Sequence, residues 1–209
     1  MSTEEKETGR VEAFSDGVFA VAITLLVLDL KVPRATELQA SHGTLETVLL
    51  NQWPVYMAYV ISFATVLIMW ANHHKMFVHI RRVTHPFLLL NGLFLMLVTV
   101  VPFSTSLLAE HILQPGAVTA AAVYSYTFLM IAAGFNTVWM YASGNGRLLG
   151  QGHDAKAVAA ITRQYKFGPF WYVVAFVLAF VNAKASVGAC LALAVFFALP
   201  ERRGAADQA

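Results

Sequence analysis

The chain has 209 residues, of which 58% are hydrophobic and only 12% charged, with a mean hydropathy of +0.62 and a formal charge of +2. Soluble chains carry about 25% charged residues. This composition excludes an ordinary soluble domain and points to an all-α, polytopic membrane protein. The single cysteine, Cys190, rules out an intrachain disulfide and reads as a small packed residue,. The polar, acid-rich start "MSTEEKETGR" lacks the basic flank and short apolar core of a secretory signal, so the first apolar segment is expected to be retained,.

A spanning helix needs roughly 20 mostly apolar residues. Six segments are predicted to span: 11–30, 52–77, 86–109, 117–142, 167–182 and 185–200. The last two are short and read as a hairpin with a tight turn near Lys184. Between the first two spans, residues 44–50 have the spacing of a short amphipathic helix,. Helical spacing also returns in the 4–5 loop after its opening glycines.

Six spans place both termini on the same side as the 2–3 and 4–5 loops. That side holds Lys6, Arg10, Lys75, Arg81, Arg82, Arg147, Lys156, Arg163, Lys166, Arg202 and Arg203, which is 11 of the 14 basic residues. Lys31, Arg34 and Lys184 fall on the other. The bias predicts cytoplasmic termini. Trp53 and Tyr56, and Trp171 and Tyr172, fall where interfacial aromatics are expected,.

The first span, "RVEAFSDGVFAVAITLLVLDL" with its leading Arg10, contains an ionisable residue at Asp16. Two readings compete. Ser15-Asp16 is a helix N-cap, since both residue types are favoured there, or Asp16 lies inside the helix. A helix from Gly17 to Leu30 has fourteen residues and rises roughly 21 Å, short of a hydrocarbon core of about 30 Å. Length therefore favours the internal position, which marks a candidate functional residue. Arg10 stands six residues away, too far round the helix for a direct pair. At 100° per residue, Phe14, Gly17, Val18, Val21, Thr24, Leu25 and Leu28 share a face,. Asp16, Phe19, Ile23, Leu26 and Leu30 lie roughly opposite. Taken alone, the first stripe equally suits lipid or another helix.

The second span ends in "WANHHKMF", with Trp70, His73, His74 and Phe77 on one face. Antiparallel packing brings this end to the start of the first span, where a histidine or the Trp70 indole can donate to Asp16. Metal binding is disfavoured, because the rings of His73 and His74 diverge by about 100° and no cysteine or second acid completes a set.

Arg10, Phe14, Ser15 and Asp16 in this setting form an Arg-x-x-x-Phe-Ser-Asp arrangement that resembles the signature of the transmembrane protein 175 family of potassium channels. "WANHHKMF" and "NGLFLMLVTVVPFST" are similar to that family too, and the resemblance runs over essentially the whole chain. It implies a six-span subunit of a homotetramer whose four first helices line a central pore for potassium. No carbonyl filter and no cofactor are implied. The expected partners are further copies of the chain, the lipid bilayer and potassium ions, with no nucleic acid. Counted from Asp16, the resemblance places aliphatic pore layers at Val21, Leu25 and Leu28, with the Thr24 hydroxyl beside them. The family usually has isoleucine or leucine at the first layer; valine is smaller, which leaves the tightest point open among the three. Arg10, Phe14, Ser15, Asp16, Trp70, His73 and His74 become a packing network at the cytoplasmic mouth. A single-repeat chain of this length suggests a prokaryotic form in the plasma membrane.

Two other classes are weighed against a channel. A secondary transporter or proton-coupled carrier calls for broken helices and acids at mid-depth. The first span has neither at its centre, and Pro102 is one isolated break. A haem or metal enzyme calls for histidines at mid-bilayer. Here His42 and His111 fall in outer loops, and His73, His74, His79, His85 and His153 on the cytoplasmic side. No catalytic arrangement stands within a span, so an enzyme is not expected.

Overall fold

A computed structural model describes residues 3–34, 44–150 and 154–199, with side chains from residue 7 onward. His42, His153, Arg202, Arg203 and the side chain of Lys6 lie outside the described residues. The described chain is helical: α1 Thr3–Leu25, continued by a 3-10 turn Leu26–Asp29; α2 Leu45–Asn51; α3 Trp53–His79; α4 His85–Val98; α5 Val101–His111; α6 Ala117–Ser143; α7 Ala155–Lys166; α8 Gly168–Ala179; α9 Ala183–Ala198. Among the described residues the sole β feature is a bridge between Ile80 and Leu149.

Local chemistry sets these boundaries. Proline stands in the first turn of α3, α4, α5 and α8, where its missing N–H leaves no gap in the helix,. Thr44 caps α2 by accepting from Thr47 N, Asp154 caps α7 from Lys156 N and Ala157 N, and Asn182 caps α9 from Ala185 N,. The turn after α6 passes through Asn145 and Gly146 at φ 54° and 65°, a left-handed step that asparagine and glycine tolerate best,.

Among the described residues, four helical stretches are long and apolar enough to cross a membrane: Glu7–Asp29, Trp53–His79, His85–His111 and Ala117–Gly146. α8 and α9 have 12 and 16 residues and rise about 18 and 24 Å.

The expected span 86–109 lies within the single stretch His85–His111 and is built from two helices, α4 and α5. Pro102 has no N–H to give the carbonyl of Val98, so the ladder breaks at Thr99–Val100 and restarts as α5,. Two sequence expectations are corrected. The hairpin turn lies at 180–182 rather than near Lys184, because Asn182 caps α9 and draws Lys184 into its first turn. Tyr172 is buried rather than interfacial: it sits on the face of α8 that packs on α6, its ring stacked 6.3 Å from Phe128, while its neighbour Trp171 is exposed.

α6 is the central post, in contact with α4, α5, α8 and α9. Small residues let the helices close together: Ala120 and Ala121 on α6, Ala175 and Ala179 on α8, Ser186, Cys190 and Ala194 on α9 are all buried,. A Cβ at Gly134 would come 3.3 Å from Leu97 of α4, so the smallest residue sits at that crossing. Polar bonds lock the layers. The hydroxyls of Thr105 and Ser62 lie 2.8 Å apart, with Tyr124 Oη 3.2 Å from Ser62, joining α5, α3 and α6. Trp139 Nε1 donates to Thr162 Oγ1 at 2.9 Å and holds α7 on α6. α1 lies against α3, α4 and α5, at the edge of this bundle.

Candidate functional site

α1 is two-faced. Ser15, Phe19, Ala22 and Leu26, spaced four, three and four residues apart, are fully buried against the bundle,. On the opposite side Phe14, Gly17, Val21, Thr24, Leu25 and Leu28 are exposed, with Val21 at 55%, Leu25 at 41% and Leu28 at 70%. Thr24 Oγ1 donates to Val21 O of its own helix at 2.9 Å. Its proton is thus engaged while the oxygen lone pairs remain unshared.

α1 begins at Thr3, more than three turns before Asp16. Asp16 is therefore inside the helix, and the N-cap alternative falls. Trp70 Nε1 donates to Asp16 Oδ1 at 2.8 Å. One turn earlier on α1 and one turn later on α3, Glu12 Oε1 and His74 Nδ1 are 2.8 Å apart. The Trp70 and His74 rings stack at 6.2 Å. These two rungs run in opposite order along the two helices, as antiparallel packing requires.

A second, deeper chain of bonds joins three helices. Ser15 Oγ donates to Val11 O at 2.8 Å, Asn91 Nδ2 donates to Ser15 Oγ at 3.0 Å, and His73 Nε2 lies 3.1 Å from Asn91 Oδ1. Since the amide nitrogen of Asn91 is already directed at Ser15, its oxygen must accept, and His73 Nε2 carries the donated proton. Phe19, Phe77 and Phe94 enclose the His73 ring at 5.4, 4.6 and 5.6 Å. Asn91→Leu strands a buried donor on His73 and destabilises the fold by about 1–3 kcal/mol. Thermal melting of the purified protein reads this as a clear fall in midpoint; an unchanged midpoint would remove the chain of bonds from the packing account.

The structure thus gathers Ser15, Asp16, Trp70, His73 and His74. Arg10 stands apart from Asp16, on the rim of a cleft of about 570 Å³ shared with Glu7, Thr84 and His85. Phe14 is exposed beside it. Asn91 and Glu12 are members that sequence reasoning missed. Asn91 had a signal, as the lone amide in the apolar run "FLLLNGLFLMLV". Among the described residues no group of three histidine, cysteine or acidic side chains is placed to hold a metal ion.

Residues 10–102 match the family described as the endosomal/lysosomal potassium channel TMEM175. A potassium channel of Chamaesiphon minutus is 53% identical over 201 residues, covering 94% of this chain and 96% of the relative. One from Streptomyces collinus is 42% identical over 206 residues, covering 96% and 98%. The crystal structure of a lysosomal potassium-selective channel TMEM175 homologue from Chamaesiphon minutus superposes with a TM-score of 0.83 at 50% identity, covering 92% of this chain and 97% of that one. The Phe-Ser-Asp motif with its Trp70 partner, the helical bundle and near-full-length relatives all agree: this chain belongs to the TMEM175 family.

Proposed function

We propose that the chain is a potassium channel subunit, four copies of which assemble round an axis with α1 innermost. It is not an enzyme, and its relatives over the full length carry the name potassium channel. The observation that carries the reading is the exposure pattern of α1. Ser15 and Asp16 turn inward to the bundle, while the aliphatic side chains of Val21, Leu25 and Leu28, with Thr24 among them, are left uncovered. In the tetramer, Val21, Leu25 and Leu28 form apolar layers that restrict the water path, since narrow hydrophobic constrictions gate by dewetting. Thr24 supplies a ring of four hydroxyl oxygens between them. Asp16, Ser15, Trp70, His73 and His74 hold α1 at the angle that aims the layers, with Arg10 and Phe14 at the mouth.

The whole chain acts as a single six-span domain, with α8 and α9 as the closing hairpin and both termini in the cytoplasm of a plasma membrane. Oxygen ligands suit potassium because it sheds water more readily than sodium, so Thr24 is the residue assigned to discrimination. Thr24→Val is expected to move the reversal potential in mixed potassium and sodium toward the unselective value; an unchanged reversal potential removes Thr24 from that role. The function itself is tested by potassium flux from liposomes carrying the purified protein. Flux that scales with the gradient and does not saturate supports a channel. Saturating, counter-ion-coupled flux supports a carrier, and no flux sinks both.

A further inference from the structure

The outer end of α1 is held by a second polar contact, far from the Asp16 network. The last turn of the helix winds as a 3-10 turn, Leu26–Asp29. Three residues per turn eclipse positions i and i+3, so Leu25 and Leu28 stand on one exposed edge,. Asp29, next in the chain, turns toward α5. Its Oδ1 accepts a hydrogen bond from Ser106 Oγ. Two residues later Lys31 Nζ lies 3.0 Å from Glu110 Oε1. Ser106 and Glu110 are one turn apart on α5,, so the outer end of α1 grips α5 at two successive turns.

The two grips are unequal. Lys31 and Glu110 are both more than half exposed, and such pairs contribute little. The Asp29 contact is partly buried, and the second carboxylate oxygen, Oδ2, is buried with no hydrogen-bond partner. A carboxylate at the C-terminal end of a helix also meets the negative end of the helix dipole. Both terms oppose an acid at this position, and the bond to Ser106 is the contact that offsets them. α5, moreover, is separated from α4 by the break at Pro102, so its placement is not dictated by a continuous helix. What Asp29 grips is instead fixed to α3 and α6 through Thr105, Ser62 and Tyr124, and what it carries is the residue next to Leu28.

We propose that Asp29 is a positioning residue for the Leu28 layer: its hydrogen bond with Ser106 fixes the outer 3-10 turn of α1 on α5 and so sets how far Leu28 projects into the pore. The proposal rests on the reading of α1 as the pore helix. It makes the bond, not the negative charge, the quantity that matters for discrimination between potassium and sodium.

The experiment compares reversal potentials in mixed potassium and sodium for the full-length channel in liposomes. Ser106→Ala removes the donor and keeps the charge; Asp29→Asn removes the charge and keeps an acceptor. Ser106→Val and Ser106→Thr repeat the comparison with side chains of equal size, which serves if alanine fails to fold. Loss of the hydroxyl is expected to lower the potassium-to-sodium permeability ratio about threefold, the scale of one intramembrane hydrogen bond. Ser106→Thr keeps the wild-type ratio, Asp29→Asn shifts it less than Ser106→Ala does, and Ser106→Ala has no further effect once Leu28→Ala has removed the layer. A ratio that falls in Asp29→Asn but not in Ser106→Ala or Ser106→Val overturns the proposal, because the charge would then be acting on the ion directly. An effect of Ser106→Ala that persists in full beside Leu28→Ala overturns it as well. Absence of potassium flux in the unsubstituted chain overturns the channel reading first, which separates the two failures.

Discussion

Leu28→Ala is expected to raise potassium flux on the order of tenfold, the change that follows from lowering a barrier by about 1.4 kcal/mol. Leu28 is the most exposed of the three aliphatic layers on α1, so its side chain makes the fewest contacts within its own subunit. Truncation there removes little packing. In the proposed tetramer it takes an isobutyl group from each of four walls at one height, which widens and wets the constriction. Leu25→Ala acts the same way one turn deeper. Both variants pass more sodium relative to potassium, because a wider passage no longer strips water from the ion. Flux and reversal potential in liposomes give the result. Melting serves as the control, since the substituted side chains are exposed in the subunit. Unchanged or reduced flux in both variants, with the protein intact, would place the constriction elsewhere.

Trp70→Phe is expected to destabilise the protein by about 1.5–3 kcal/mol, the range for a hydrogen bond to a charged group. Phenylalanine retains the ring against His74 but not the indole N–H that reaches Asp16. The carboxylate is then left in an apolar wall with one of its oxygens stripped of its donor, a costly state at membrane depth. Adding Asp16→Leu to Trp70→Phe removes the stranded carboxylate, so the double variant recovers part of the loss. Melting midpoints of the two single variants and the double variant measure the coupling. Strict additivity would show that the bond contributes nothing beyond its two parts.

Much of the architecture was legible because membrane spans declare themselves by length and apolarity. Residues 52–77 anticipated α3 within two residues at its C-terminal end, and the capped helix Leu45–Asn51 followed from its spacing. The start of α1 did not show, because hydropathy sees only apolar residues. "TEEKETGR" is helical through good helix formers such as glutamate, lysine and arginine,. Pro102 was visible as a break, but its effect on the span depended on a carbonyl, that of Val98, which periodicity does not report. The meeting of Trp70 with Asp16 was reachable from antiparallel order. The partners of Asn91 and Ser106 were not: Asn91 stands out as a lone amide, but each bonds a residue some 76 or 77 positions away in the chain, and separation of that size leaves no local pattern for the pairing. On α1, Phe19 and Leu26 are buried and Val18 is partly covered, while Phe14, Val21, Leu25 and Leu28 are left uncovered.

What covers that stripe in the assembled protein is the point on which the account turns. Thiol modification addresses it directly, with Cys190→Ala as the background and Leu28→Cys compared with Leu26→Cys under potassium flux. A positively charged thiol reagent, supplied from either side of the liposome, is predicted to block flux through Leu28→Cys and to leave Leu26→Cys untouched, because in the proposed tetramer Leu28 faces water at the axis, whereas Leu26 is packed against the bundle. Full flux through modified Leu28→Cys, or a Leu28→Cys thiol that only a lipid-soluble reagent reaches, would mean that α1 turns this face to the membrane.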